Sequence, residues 1–140
     1  MTSPSTVDLA GRRALVVEDH FLIALDMEVM LRALGVRIVD LANCVGDALA
    51  AIERKRPDFA LLDLKLGPKM TAFPIAEVLL DRAIPFVFVT GYDDVAIMPT
   101  SMRKAPVIVK PVPFANLQAA LTTLALSSRP AVMPSAEALR

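Results

Sequence analysis

Phe59-Ala60-Leu61-Leu62-Asp63-Leu64-Lys65-Leu66-Gly67 is the stretch that decides the fold. It is a short apolar run that ends on one carboxylate, Asp63, and the chain turns soon afterwards at Gly67-Pro68. A run this short, bounded by turn residues, reads as a strand buried on both faces, the pattern of a parallel sheet. Asp63 then stands where the strand surfaces. In an open α/β sheet, chemistry collects at the carboxyl ends of the strands, so the rest of the chain is read for complementary groups delivered to that edge.

Upstream, residues 1–11 are rich in Ser and Thr and read as a flexible N-terminus. Ala14-Leu15-Val16-Val17 is a first buried strand that ends abruptly in Glu18-Asp19-His20. From Phe21 to Leu34 the period becomes helical, with Ile23, Met27, Met30, Leu31 and Leu34 on one face and Gly35 as a C-terminal cap. Leu22, Leu25 and Val29 lie off that face, as a second buried side or a docking patch. Val36 to Leu41 carries Arg37 and Asp40, so it reads as an edge strand. Val45 to Arg56 is a helix turning Val45, Ala48, Leu49 and Ile52 inward, stopped by Pro57.

Downstream, Ile75 to Arg82 is a helix with Pro74 tolerated in its first turn, and Pro85 to Val89 is a fourth strand ending in Thr90-Gly91-Tyr92. Residues 93–104 have weak helical periodicity around Pro99. Val107-Ile108-Val109 is a fifth strand ending in Lys110-Pro111. A last helix follows Pro113, with Phe114, Leu117, Leu121 and Leu124 at helical spacing. Residues 127–140 form a Ser/Pro/Ala tail expected to be flexible. Five strands alternating with five helical stretches predict an α/β single domain, a parallel sheet with right-handed crossovers.

Composition narrows the function. The chain has 140 residues, 55% hydrophobic and 21% charged, which makes a folded domain rather than a disordered chain. Fifteen basic and fifteen acidic residues cancel, giving a nucleic-acid or anionic-membrane partner no electrostatic support. No stretch approaches the ~20 apolar residues of a membrane span, and the N-terminus lacks a signal pattern. The single cysteine, Cys44, fits a reducing cytoplasm and reads as a small buried side chain.

Strand one delivers Glu18 and Asp19, strand three Asp63, strand four Thr90 and strand five Lys110. Three carboxylates at one edge repel unless a cation neutralises them, and an all-oxygen set only partly supplied by protein suits Mg²⁺. Lys110 offers a positive charge for a phosphoryl oxygen and Thr90 a hydroxyl donor. Phosphoryl transfer needs positioning and charge neutralisation above all, and this set supplies both. Taken singly, each residue is unremarkable: a loop acid, a β-forming threonine, a Lys-Pro pair. The ordered set carries the weight.

That set resembles the receiver domains of bacterial two-component response regulators, over residues 12–126. The resemblance implies a doubly wound, flavodoxin-like sheet of strand order 2-1-3-4-5. It implies that Glu18 and Asp19 hold Mg²⁺, that Asp63 is both phospho-acceptor and metal ligand, and that the Lys65 backbone carbonyl completes the metal shell. Thr90 matches the switch hydroxyl and Lys110 the family's lysine, followed by a cis bond to Pro111 that aims the ammonium at the acceptor. Phe88-Val89-Thr90-Gly91-Tyr92 is similar to the Phe-Ala-Thr-Gly-Tyr signature of a receiver subgroup, many of them stand-alone. That subgroup lacks the aromatic switch three residues before the lysine, here Val107, and Tyr92 is expected to cover the site or report its state.

The function implied is a single-domain response regulator, phosphorylated on Asp63 by a sensor histidine kinase or histidine phosphotransfer protein. Such a protein is a self-phosphorylating switch with slow autodephosphorylation rather than an enzyme. It signals to a downstream protein partner or serves as a phosphate sink or relay, and the surplus apolar face of the first helix is the expected kinase dock. The alternative is an adaptor that works without phosphorylation. A haloacid-dehalogenase-type phosphatase wants an Asp where Lys65 stands, and a flavodoxin-like cofactor binder wants a Gly-rich loop after strand one that is absent here.

Overall fold

The computed structural model describes residues 9–91 and 105–124. Tyr92, the helical segment expected over 93–104, residues 1–8 and the tail from 125 onwards lie outside them. Among the described residues the chain runs β1 (Arg13–Val17), α1 (Phe21–Ala33), β2 (Ile38–Ala42), α2 (Val45–Arg54), β3 (Phe59–Asp63), α3 (Phe73–Asp81), β4 (Phe86–Thr90), β5 (Val107–Val109) and α4 (Phe114–Thr122). All five strands are parallel, in the order β2-β1-β3-β4-β5.

β3 and β4 are buried along their whole length, as continuous apolar runs require. Period-two alternation shares their side chains between two layers. Leu62, Phe86 and Phe88 pack with Ile52, Ile75 and Leu79 of α2 and α3. Phe59, Leu61, Val87 and Val89 pack with Met27 and Leu31 of α1 and Leu117 and Leu121 of α4. Phe88 is fully buried, edge-on to Phe73 at 6.2 Å and to Phe86 at 5.2 Å. Burying such a ring contributes about 1.5–3 kcal/mol, with about 0.5–1.5 kcal/mol more from each aromatic pair.

The edge strand β2 is held by Arg13, whose guanidinium lies 2.6 Å from Asp40 Oδ2. α1 ends where Gly35 takes a φ of 102°, and a Cβ there would stand 3.5 Å from the Ala10 backbone. Leu9 is buried against the second layer and the Gly11 N–H donates to the Gly35 carbonyl. α2 stops at Arg54 because Lys55 is already extended (φ −156°), two residues before the helix was expected to end.

Cys44 is exposed, not buried. It is the N-cap of α2, where its Sγ accepts the Asp47 N–H at 3.4 Å. On α1, Leu22 and Val29 face solvent as expected of an off-face pair, while Leu25 is half-buried. On α4, Phe114 is exposed despite its helical spacing with the buried Leu117 and Leu121. No helix among the described residues is long and apolar enough to cross a membrane.

Candidate functional site

The strand order creates the site. From β1 the chain crosses to β2 on one side, whereas β3 lies on the other side of β1, so the loops leaving β1 and β3 part and open a crevice at the carboxyl edge. Strand parity then aims the side chains. Glu18 continues the alternation Ala14, Val16; Asp63 continues Phe59, Leu61; Lys110 continues Ile108. All three therefore belong to the layer shared with α1 and α4. Thr90 follows Phe86 and Phe88 on the opposite parity.

Register brings them level. Val17 pairs with Leu62, so Glu18 comes abreast of Asp63, while Asp63 pairs with Val89 and Thr90 with Val109. The Lys110 N–H donates to the Thr90 carbonyl at 2.8 Å, and the Lys110–Pro111 bond is cis. Lys110 Nζ lies 3.1 Å from Asp63 Oδ2 and 3.0 Å from Glu18 Oε1. The ammonium thus bridges one oxygen of each buried carboxylate. Glu18 Oε1 is buried, and the lysine ammonium is its counter-charge.

Burial and repulsion set the chemistry. Desolvation, and then the neighbouring Glu18 charge, push Asp63 up to about 7 from its ordinary 3.8, against the opposing pull of Lys110. Burial alone would lower Lys110, but Glu18 and Asp63 together outweigh it and hold the ammonium above its ordinary value. One lysine is too little positive charge for Glu18, Asp19 and Asp63 together.

One ligand atom from each of Glu18, Asp19, His20 and Asp63 lies within 4.8 Å of the others. Cis and trans ligands around a small octahedral cation stand about 3 and 4.2 Å apart, so this set has the span of a hard-cation site. The three carboxylates fit Mg²⁺ by donor type and by the charge they leave uncompensated. The cleft beside them, about 360 Å³, is lined by Asp19, His20, Asp63, Lys65, Gly91 and Lys110 among others. Lys65 is exposed at its rim, and its strand-like bridge to Thr71 fixes the loop after β3.

Of the residues singled out from sequence, Glu18, Asp19, Asp63 and Lys110 meet in one cluster, and Lys65 lines the same cleft. Thr90 is fully buried one residue beyond the register of Asp63, and its hydroxyl donates to the Gly91 carbonyl at 3.3 Å. Val107 opens β5, half-buried against the α2/α3 layer. His20, not singled out from the sequence, joins the same cluster. Its signal was adjacency: it follows the acidic pair directly, and Nδ1 lies 3.2 Å from both Glu18 Oε2 and Asp19 Oδ1.

Comparison with known proteins agrees with this geometry. The phyllosphere-induced regulator PhyR of Methylorubrum extorquens is 30% identical over 126 residues, 83% of this chain and 47% of that protein. The transcriptional regulatory protein PdtaR of Mycobacterium tuberculosis is 34% identical over 66% of this chain and 46% of its own length. The chain spans less than half the length of these curated relatives. Among solved structures, SdrG from Sphingomonas melonis superposes with a TM-score of 0.71 at 37% identity, covering 79% of this chain and 93% of SdrG. The response regulator PhyR from Brucella abortus gives 0.71 at 28% identity, over 84% of this chain and 49% of that one. A family model, the response regulator receiver domain, matches residues 14–122, and with the doubly wound sheet and the acid–lysine cluster at its carboxyl edge this places the chain in the receiver-domain family of response regulators.

Proposed function

We propose that Asp63 is the acceptor of a phosphoryl group donated by a phosphohistidine on a sensor histidine kinase or histidine phosphotransfer protein. The observation that carries this reading is the buried Asp63 carboxylate, held by the Lys110 ammonium at 3.1 Å and open to a cleft at the carboxyl edge of the sheet. A carboxylate oxygen of Asp63 forms the new O–P bond as the P–N bond of the donor breaks, and the departing imidazole takes up a proton. Glu18, Asp19 and Asp63, with the Lys65 carbonyl, are the groups that would hold Mg²⁺, which supplies charge neutralisation to the transferring phosphoryl oxygens.

Lys110 already touches the acceptor, so it is placed to follow a phosphoryl oxygen. Thr90 spends its hydroxyl on Gly91 in this state. A phosphoryl group on Asp63 gives that hydroxyl a stronger, charged acceptor, and its turn would reorder the loops after β4 and β5. The protein then acts as a switch that hands its state to a downstream protein partner, or passes the group on as a sink or relay. It is not a turnover enzyme, and slow autodephosphorylation returns it to rest.

For the donor kinase we assign the α1 face, where Leu22 and Val29 are 75% and 68% exposed beside an apolar groove of about 570 Å³ lined by Ile23, Met27 and Met30. Balanced charge and an unpaired, exposed Cys44 support a cytoplasmic setting. The test is transfer from a phosphorylated kinase or from acetyl phosphate with Mg²⁺. Wild type should take up label and Asp63→Asn should not; equal uptake by the variant would end the assignment. Leu22→Glu should slow transfer from the kinase while leaving uptake from acetyl phosphate unchanged.

A further inference from the structure

We propose that His20 is a metal ligand in this site, so that the receiver takes a first-row transition dication such as Mn²⁺ in preference to Mg²⁺. This inference rests on the cation-site reading above and adds to it which cation the site prefers. Three observations converge on His20. Its Nδ1 lies 3.2 Å from Glu18 Oε2 and 3.2 Å from Asp19 Oδ1, close to the separation of neighbouring ligands on one small cation. The same four-residue set brings Asp63 within 4.8 Å of all the others. Glu18 is anchored from behind: Lys110 takes Oε1 and the His20 backbone N–H donates to Oε2 at 3.1 Å, which fixes the carboxylate and the residue beside it together.

His20 also has no competing structural duty. It occupies the N-cap position of α1, yet its side chain makes no capping hydrogen bond, and 69% of that side chain is exposed. In the tautomer with its proton on Nδ1, the ring donates to the neighbouring carboxylates. With that proton on Nε2 instead, through exchange with solvent, the Nδ1 lone pair faces the site. Mg²⁺ is a hard ion that demands oxygen ligands, whereas Mn²⁺ and the later ions of the series accept imidazole readily and increasingly. A fourth donor of nitrogen type therefore raises affinity for those ions far more than for Mg²⁺.

The experiment measures Mn²⁺ and Mg²⁺ binding by calorimetry to the full chain, as wild type and as His20→Gln, with electron spin-echo spectroscopy of the Mn²⁺-loaded proteins. Glutamine keeps a polar side chain of similar reach but has no imidazole nitrogen. The expected result is a Mn²⁺-over-Mg²⁺ preference that falls at least about tenfold in the variant, together with a directly coordinated ¹⁴N signal present in wild type and lost in His20→Gln. If both ions bind wild type but the preference and the ¹⁴N signal are the same in both proteins, His20 is no ligand and the proposal falls alone. If wild type binds neither ion, the cation-site reading itself is wrong and the proposal falls with it.

Discussion

Replacing Asp63 by Asn should make the metal-free protein more stable at neutral and alkaline pH. Asp63 is held at about 7 in the fold against an ordinary 3.8. Between those values the folded protein keeps a proton that the unfolded chain has released, so stability falls as pH rises through the window and stays low above it. Each pH unit is worth about 1.4 kcal/mol, which sets a ceiling of ~4 kcal/mol. The site opens to a cleft, and removing the charge also leaves Lys110 with Glu18 alone, so about 1–2 kcal/mol is the expected gain. Asn cannot titrate, and groups common to both proteins cancel in the difference. Urea unfolding in a chelator should therefore show the variant ahead by about 0.5–1.5 M in midpoint near pH 8. The two should converge below about pH 3, where Asp63 is protonated in both states. A variant less stable than wild type near pH 8, or a difference that does not change with pH, would refute the reasoning.

Three further outcomes follow from the same physics. Lys110→Met removes the cation that bridges Glu18 Oε1 and Asp63 Oδ2, and should cost about 2–4 kcal/mol in chelator above pH 7 by urea unfolding, because two buried carboxylates are then left uncompensated. Ala83 follows α3 with a φ of 57°, so Ala83→Gly should raise stability by about 0.5–1 kcal/mol in thermal unfolding, with phosphoryl uptake unchanged. Cys44→Ser replaces a weak thiol acceptor at the α2 N-cap by a hydroxyl, and should stabilise by about 0.5 kcal/mol with no sensitivity to reductant.

Much of this was legible because one rule governs both pattern and position. A parallel sheet buries its strands on both faces, so β3 and β4 are unbroken apolar runs, and the first polar residue after each run marks the functional edge. Edge strand β2 was marked by Asp40, which turns out to pair with Arg13. Periodicity failed where a residue's role is local. Cys44 looked like a core residue by type, but its position makes it a cap. Phe114 shares spacing with Leu117 and Leu121 but is the first residue of α4 and stays exposed while the other two are buried. Leu9 packs because the chain before β1 folds back onto Gly35, a long-range contact that no local pattern announces. His20 was missed because adjacency to an acidic pair carries no periodic signal.

The account turns on Asp63 being the one carboxylate of the cluster that takes the phosphoryl group. Treating the protein with acetyl phosphate and Mg²⁺, reducing any acyl phosphate with borohydride, and sequencing the peptides by mass spectrometry reads that residue out directly. The expected result is homoserine at position 63, abolished by chelator. Homoserine at Asp19, 5-hydroxynorvaline at Glu18, or a reduced carboxyl elsewhere with Asp63 unmodified, or an undiminished yield in chelator, would contradict it.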